Sequence, residues 1–157
     1  MTDRDNMTDM TKHIKIKKFR PNAKIPVQAT EGSAGMDLYA CIDSPITIKH
    51  GEIKIIPTGV GIALSDKYCA AFIYARSGLG IKHGICLANG VGVVDSDYRG
   101  EICVGLCNVS SDEYTVEPFE RIAQMVIAPV YSAVLSTCSE LDETSRNTGG
   151  FGSTGKK

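Results

Sequence analysis

The chain is organised as a series of short apolar runs, and this pattern limits its fold more than any other feature. Turn-forming residues separate nearly all of the runs, for example at residues 43–45, 50–51, 110–112 and 117–118. Short apolar runs between such turns are typical of β-strands. The runs cover residues 36–40, 46–48, 53–56, 60–64, 70–75, 85–87, 91–94, 102–109, 122–130 and 133–135.

Helical periodicity is weak throughout the sequence. Residues 14–17 alternate with a period of two, which indicates a strand with one solvated face. Residues 121–130 fit either a helix or a strand, and the valines and Ile127 favour the strand. Many short strands joined by turns predict an all-β sandwich or barrel. We expect at most one short helix.

Some of the predicted strands are apolar or small on both faces, notably residues 69–74 and 102–106. A strand of a monomeric sandwich usually exposes one face to water. These strands therefore suggest burial between subunits, and we expect a homo-oligomer.

Size and charge narrow the range of partners. With 157 residues and 43% hydrophobic side chains, the chain can form one domain with one core. A net charge of -1 argues against general binding to nucleic acid or to an anionic membrane. No apolar run is long enough to span a membrane, and residues 1–12 lack the apolar centre of a signal peptide. We expect a cytoplasmic protein with neither nucleic acid nor membrane as a partner.

The cysteines do not form a recognisable ligand or disulfide pattern. No Cys-x-x-Cys pair occurs, and Cys103 and Cys107 would lie about 13 Å apart on one face of a strand. That separation is too large for a disulfide. We interpret the cysteines as small buried hydrophobic residues in a reducing compartment.

The stretch from Asn89 to Glu101 holds the most unusual chemistry, because Asp95 and Asp97 precede Arg99 in a segment of glycine and valine. As structure, the stretch predicts a hairpin in which Glu101 begins the second strand. A calcium loop is excluded because the twelfth position lacks the required glutamate. No serine–histidine–aspartate order or zinc motif is present, which favours a carboxylate that activates water.

Two glycine-rich segments could hold phosphates. Arg76, Ser77 and Gly78 follow a predicted strand and offer a guanidinium, a hydroxyl and free amides. The alternative is a turn that ends the strand and carries a surface arginine. Residues 150–156 partly match a Walker A loop, but no strand leads into them and Lys157 replaces the expected serine or threonine.

The tail from Arg146 to Gly155 has two readings. It could be a disordered glycine-rich end. It could also be an arm that orders over a ligand, with Phe151 stacked on a base and Arg146 on phosphates. An extended segment of roughly 14 residues spans about 45 Å, which is enough to reach a neighbouring subunit.

Five segments, taken together and in order, resemble the five motifs of the homotrimeric deoxyuridine triphosphate nucleotidohydrolase (dUTPase) family. Each motif alone is weak, whereas five with matching order and spacing are specific. The segments are residues 34–40, 76–80, 89–101, 120–124 and 146–155.

The resemblance implies a distorted β-barrel or jelly-roll subunit in a threefold trimer. Each active site would take its first, second and fourth motifs from one subunit, the third motif from another and the arm from the last. The implied layout is a flexible extension at residues 1–12, a barrel domain at 13–137 and an arm at 138–157.

The resemblance also implies hydrolysis of dUTP to dUMP and pyrophosphate, with Asp95 as the base that activates the attacking water. Magnesium (Mg2+) would be the cofactor, bound to the phosphates and contacted by Asp37 only through its water shell. Asn89 and the backbone of Val93 and Val94 would read uracil, and Tyr98 would exclude a 2′-hydroxyl. The implied substrate-binding residues are Arg76, Ser77, Gly78, Asn89, Val93, Val94, Tyr98, Gln124, Arg146, Phe151, Gly152 and Ser153.

The sequence departs from the family pattern at Ala75, where proline is usual, and at Phe119, where glycine is usual. The turn at Phe119 must avoid a positive φ or accept strain. Two other functions remain open: deamination, because dCTP deaminases resemble this family in fold, and nucleotide binding without catalysis.

Overall fold

A computed structural model describes residues 11–150 of the chain. Within that range the protein is built almost entirely of strands, and its single helix is seven residues long. That helix is too short to cross a membrane. The elements are β1 (Lys15–Lys18), β2 (Val27–Gln28), β3 (Met36–Tyr39), β4 (Ile46–Ile48), β5 (Ile53–Pro57), β6 (Val60–Ala63), β7 (Cys69–Ala75), α1 (Ser77–His83), β8 (Ile85–Leu87), β9 (Gly92–Val94), β10 (Cys103–Asn108), β11 (Tyr114–Val116) and β12 (Arg121–Pro129).

The strands form four antiparallel sheets around one core. The largest has five strands in the order β2-β3-β12-β7-β9, and a three-stranded sheet has the order β5-β10-β8. Two-stranded sheets pair β1 with β6 and β11 with β4. Fully buried side chains from several sheets meet in the same cluster, including those of Leu38, Ile56, Leu106, Val116 and Ile122. The all-β prediction with one short helix is confirmed.

The helix α1 follows the longest apolar run of the first half of the chain. Gly84 ends it in the left-handed conformation at φ 64°, and Lys82 and His83 lie in its last turn. Both features favour a helix end, because glycine adopts positive φ without strain and cations interact favourably with the last carbonyls. Residues 77–80, which could have been a simple turn, are thus helical.

The predicted hairpin between Asn89 and Glu101 is wrong. β9 pairs with β7, whereas β10 pairs with β5 and β8 in a different sheet. The stretch is therefore a crossover between two sheets, and Glu101 precedes the first residue of β10. Residue alternation could not distinguish the two arrangements, because both leave the same residues extended.

The strand bounds and the cysteines differ from expectation in detail, and Phe119 takes one of the two conformations considered for it. Residues 133–135 are exposed and form no strand, whereas β11 was not expected. Cys41 and Cys69 are buried, but Cys103 and Cys138 are exposed. Phe119 has a φ of 63°, so the turn before β12 accepts the left-handed conformation that a non-glycine residue adopts at a cost.

Candidate functional site

One pocket of about 310 Å³ lies where β3, β7 and β12 meet, and we call it the Arg76 pocket. Its walls include Gly35 and Asp37 from the first motif, Arg76 and Ser77 from the second, and Gln124 from the fourth. The pairing of β12 with both β3 and β7 brings these three segments together. The pocket therefore unites three of the segments that were singled out from the sequence.

The Asp37 carboxylate organises the cationic side of this pocket. It is almost buried and accepts a hydrogen bond from Arg76 Nε at 3.0 Å and another from Arg121 Nη1 at 3.1 Å. Arg76 Nη1 also donates to the Arg121 carbonyl at 3.3 Å. Charge-assisted bonds of this kind fix both guanidinium groups in place before any ligand arrives.

The Gln124 side chain packs so closely against Gly35 that each residue limits what the other position can hold. The Gln124 side-chain amide donates to the Ala75 carbonyl at 3.1 Å, which ties β12 to the end of β7. A Cβ atom at Gly35 would lie 2.7 Å from Gln124 Oε1. Any larger residue at position 35 would therefore displace the Gln124 side chain from the pocket wall.

A second pocket, of about 220 Å³, is lined mainly by residues between Leu87 and Gly105, and we call it the Asp95 pocket. Asn89, Val93, Val94, Asp95 and Tyr98 all contribute to its walls. These are the residues expected to read the base and sugar and to activate water. The structure brings these five residues together around one pocket.

Backbone contacts hold the turn of the Asp95 pocket. The Tyr98 amide donates to the Asp95 carbonyl at 3.2 Å, and Tyr98 Oη donates to the Glu101 carbonyl at 2.9 Å. A Cβ atom at Gly100 would overlap Tyr98 Oη, so this position needs glycine. The Asp95 side chain is exposed, and its carboxylate has no hydrogen-bond partner in the described part of the chain.

The two pockets share no lining residue within one chain. Arg146 lines neither of them; it is exposed, and its Nε donates to the Gly149 carbonyl at 3.0 Å. Phe151, Gly152 and Ser153 lie outside the described residues. Residues 11–150 of one chain thus form two separate pockets, and Arg146 lies apart from both.

Two supporting residues were missed by sequence reasoning. Arg121 reaches Asp37 because the register of β12 shifts between Arg121 and Ala123, and a simple alternation pattern does not reveal such a bulge. Glu101 Oε1 accepts hydrogen bonds from the Gly59 amide at 2.7 Å and from Arg20 Nε at 3.3 Å. These long-range contacts leave no mark in the local sequence.

The residues of the Arg76 pocket fit a magnesium ion that is carried by a phosphate ligand. No group of three or more potential metal-ligating side chains occurs among residues 11–150, so this region offers no all-protein cage. Asp37 instead places one carboxylate beside donors suited to phosphate. A single carboxylate with phosphate oxygens and water is a usual environment for magnesium.

The fold and the two pockets define a class: an all-β protein whose cationic, donor-rich pocket suits an anionic ligand. The model of the family described as dUTPase matches residues 21–155. Because this match covers most of the sequence, the chain belongs to the dUTPase family.

Close relatives carry the same family name. The deoxyuridine 5'-triphosphate nucleotidohydrolase of Janthinobacterium sp. (strain Marseille) is 50% identical over 146 residues, which are 93% of this chain and 98% of the relative. The enzyme of that name from Neisseria meningitidis serogroup A (serotype 4A, strain DSM 15465 / Z2491) is 54% identical over 142 residues, which are 90% and 95% of the two chains.

Solved structures share the fold at low sequence identity. A mutant of the Staphylococcus bacteriophage 80alpha dUTPase with dUpNHpp superposes with a TM-score of 0.83 at 22% identity, covering 92% of this chain and 99% of the phage protein. A dUTPase from phage phi11 of S. aureus, which coordinates a structural Mg(II) ion, has a TM-score of 0.73 at 18% identity and covers 82% and 97%. The jelly-roll-like subunit expected from the motifs is thereby confirmed.

Proposed function

We propose that the protein hydrolyses dUTP to dUMP and pyrophosphate, and so removes dUTP before uracil enters DNA while supplying dUMP for thymidylate synthesis. It is a dUTP diphosphatase by family and by the name of relatives that match it over nearly their full length. The observation that carries the mechanism is the Asp95 carboxylate, which is exposed and has no hydrogen-bond partner among residues 11–150, and which lies beside the residues expected to hold base and sugar.

In the proposed reaction, Asp95 accepts a proton from a water molecule as the water oxygen attacks the α-phosphorus. The bond from the α-phosphorus to the bridging oxygen breaks, and pyrophosphate leaves. A carboxylate is a weak base, so positioning of water and phosphate must supply much of the rate. The turn contacts of Tyr98 provide part of that positioning.

The triphosphate binds in the Arg76 pocket of this proposal. Arg76, Ser77, Gly78 and Gln124 donate to phosphate oxygens, and Arg146 joins them from the arm. Their donors offset the negative charge that would otherwise repel the attacking water and its carboxylate. Magnesium, when bound to the phosphates with Asp37 in its outer shell, supplies further charge neutralisation.

Uracil and deoxyribose occupy the Asp95 pocket. Asn89 and the backbone of Val93 and Val94 hydrogen-bond to the uracil edge, and Tyr98 packs against the sugar where a 2′-hydroxyl would stand. Phe151 stacks on the base, while Gly152 and Ser153 approach the phosphates. The half-buried, partly apolar lining of this pocket suits a base and a sugar better than a triphosphate.

A homotrimer with shared sites accounts for the separation of the two pockets, because each pocket would then meet its complement on another subunit. The exposed apolar residues after β12 support this assembly, since isolated chains seldom leave so many in one segment. Their exposures are Tyr131 102%, Val134 92%, Leu135 93% and Leu141 86%. In this layout residues 13–137 form the barrel, 138–157 the arm and 1–12 an extension, in a cytoplasmic enzyme.

The decisive experiment incubates the pure protein with magnesium and each nucleoside triphosphate in oxygen-18 water. The proposal expects pyrophosphate release from dUTP alone, with the label in dUMP. Label in pyrophosphate would move the attack to another phosphorus. Ammonia from dCTP would establish deamination, and binding of dUTP without turnover would leave a nucleotide-binding protein.

A further inference from the structure

Two cysteines that are distant in sequence face each other across neighbouring strands. Cys86 on β8 pairs in register with Cys107 on β10. Both are half-buried and both are free thiols. Sequence spacing gave no sign of this pair, because the two residues belong to different apolar runs.

The backbone hydrogen bonds fix the distance between the strands at this point. The Ala88 amide donates to the Gly105 carbonyl at 2.9 Å, and the Val109 amide donates to the Gly84 carbonyl at 2.9 Å. Since hydrogen-bonded pairs alternate along an antiparallel ladder, the pair between them is also hydrogen-bonded. Such residues have Cα atoms about 5.5 Å apart, which lies within the range that a disulfide spans.

The Cys86 thiol already contacts the opposite strand. Cys86 Sγ lies 3.7 Å from the Cys107 carbonyl oxygen. Burial raises the pKa of the Cys86 thiol, and the Cys107 side chain adds to the rise. Cys86 is therefore a thiol at neutral pH, and its reactivity toward disulfides rises with pH.

We propose that Cys86 and Cys107 form a reversible intrachain disulfide when the protein meets a small-molecule disulfide. One thiolate attacks a sulfur of the small disulfide, giving a mixed disulfide and releasing one small thiolate. The second protein thiolate then attacks the mixed disulfide at the protein sulfur and releases the other small thiolate. Two protein thiols are oxidised, and one small disulfide is reduced to two thiols.

This bond links the strand that leads into Asn89 to the strand that follows Glu101. To form the bond, the Cβ atoms of the two cysteines must move from the usual separation of facing residues in a strand pair to about 3.8 Å. The two strands therefore move closer together at this point. Cys103 is the matched control for the pair: it lies on the same face of β10 and is more exposed, but it pairs with Pro57.

The test treats the reduced full-length protein with oxidised glutathione, blocks the remaining thiols and digests with trypsin without reduction. Trypsin places Cys86 in residues 83–99 and both Cys103 and Cys107 in residues 100–121. We expect these two peptides to be linked, and the link to disappear on reduction. The Cys103→Ser protein should keep the link, and the Cys107→Ser and Cys86→Ser proteins should lose it.

Several results would overturn the proposal. They are a link that survives in Cys107→Ser, glutathione adducts without any peptide link, and a link between isotopically labelled and unlabelled chains. Thermal melts verify that each variant is folded. If Cys86→Ser or Cys107→Ser does not fold, the peptide map of Cys103→Ser is sufficient. In that variant Cys107 is the only cysteine in residues 100–121, so a link to residues 83–99 must involve Cys107.

Discussion

The Arg76 pocket and the Asp95 pocket are built by opposite means. In the Arg76 pocket, Asp37 binds two guanidinium groups and Gln124 is tied to β7. In the Asp95 pocket, backbone contacts fix the turn, while the Asp95 carboxylate itself has no partner among residues 11–150. One pocket is organised before a ligand arrives, and the other leaves its reactive group free.

This difference agrees with the roles proposed for the two pockets. Phosphate binding needs fixed donors, because reorientation during the reaction would cost free energy. A base that takes a proton from water needs an unoccupied oxygen. We therefore expect changes in the Asp95 pocket to act on turnover and changes in the Arg76 pocket to act mainly on binding.

The largest effect should come from Asp95→Asn. The amide keeps the size of the side chain but cannot take the proton, so kcat should fall by about 10²- to 10⁴-fold while a non-hydrolysable dUTP analogue still binds. Steady-state rates and calorimetry measure the two quantities. Asp97→Asn, in the same exposed turn, is the control and should retain its rate. An unchanged rate in Asp95→Asn would place the base elsewhere.

Removal of residues 147–157 should have the next largest effect. Loss of stacking by Phe151 should lower kcat/KM by about 10- to 100-fold. Circular dichroism and the melting temperature should match the full chain, because the described part of this segment is exposed except for the half-buried Gly149. Removal of Lys156 and Lys157 alone should leave kcat/KM and the melting temperature unchanged. Full activity without residues 147–157 would mean that the tail is not an arm over the site.

Arg121→Gln tests whether the Arg76 pocket depends on its second guanidinium. Loss of one charge-assisted bond to Asp37 should lower kcat/KM about tenfold, mostly through KM, because Arg76 still holds the carboxylate. Arg121→Lys should recover part of the loss. Lys54→Gln, which removes an exposed ion pair with Glu52, is the control. A fall in kcat without a change in KM would contradict the expectation that the Arg76 pocket acts mainly on binding.

Phe119 allows a test of the turn that leads into the Arg76 pocket. At a φ of 63°, glycine is less strained than alanine. The free energy of unfolding in urea should therefore be about 1 kcal/mol higher for Phe119→Gly than for Phe119→Ala. Both variants lose the contact between the Phe119 ring and Lys24 Nζ at 5.0 Å, which makes them a matched pair. Equal stabilities would show that the turn relaxes at no cost.

The smallest effect concerns Tyr114, whose hydroxyl donates to the Glu120 carboxylate beside the same turn. Burial raises the pKa of Tyr114 above its ordinary value of 10.0, and the hydrogen bond to Glu120 adds to the rise. The unfolded chain therefore loses this proton first, so the stabilisation is complete below pH 10 and declines above it. In Tyr114→Phe, the midpoint of urea unfolding should fall less steeply above pH 10 than in the unchanged protein. The same pH dependence in both proteins would contradict this.

Much of the fold was predictable from local pattern. The runs at residues 46–48 and 85–87 became strands with those same bounds, because alternation and turn residues act over a few positions. The helix α1 was harder to predict, since its only strong signals are Gly84 and the two basic residues before it. The assignment of β9 and β10 to different sheets required knowledge of their partners.

The sequence by itself determined that the chain is all-β, and it supplied the order of the motifs whose residues are proposed to act on a nucleotide. The tertiary structure decided which of those residues meet. Arg121 reaches Asp37, Glu101 binds the Gly59 amide, and Cys86 faces Cys107 only because strands far apart in sequence are neighbours in a sheet. Side-chain type is a local property, whereas pairing and register depend on the burial of the whole core.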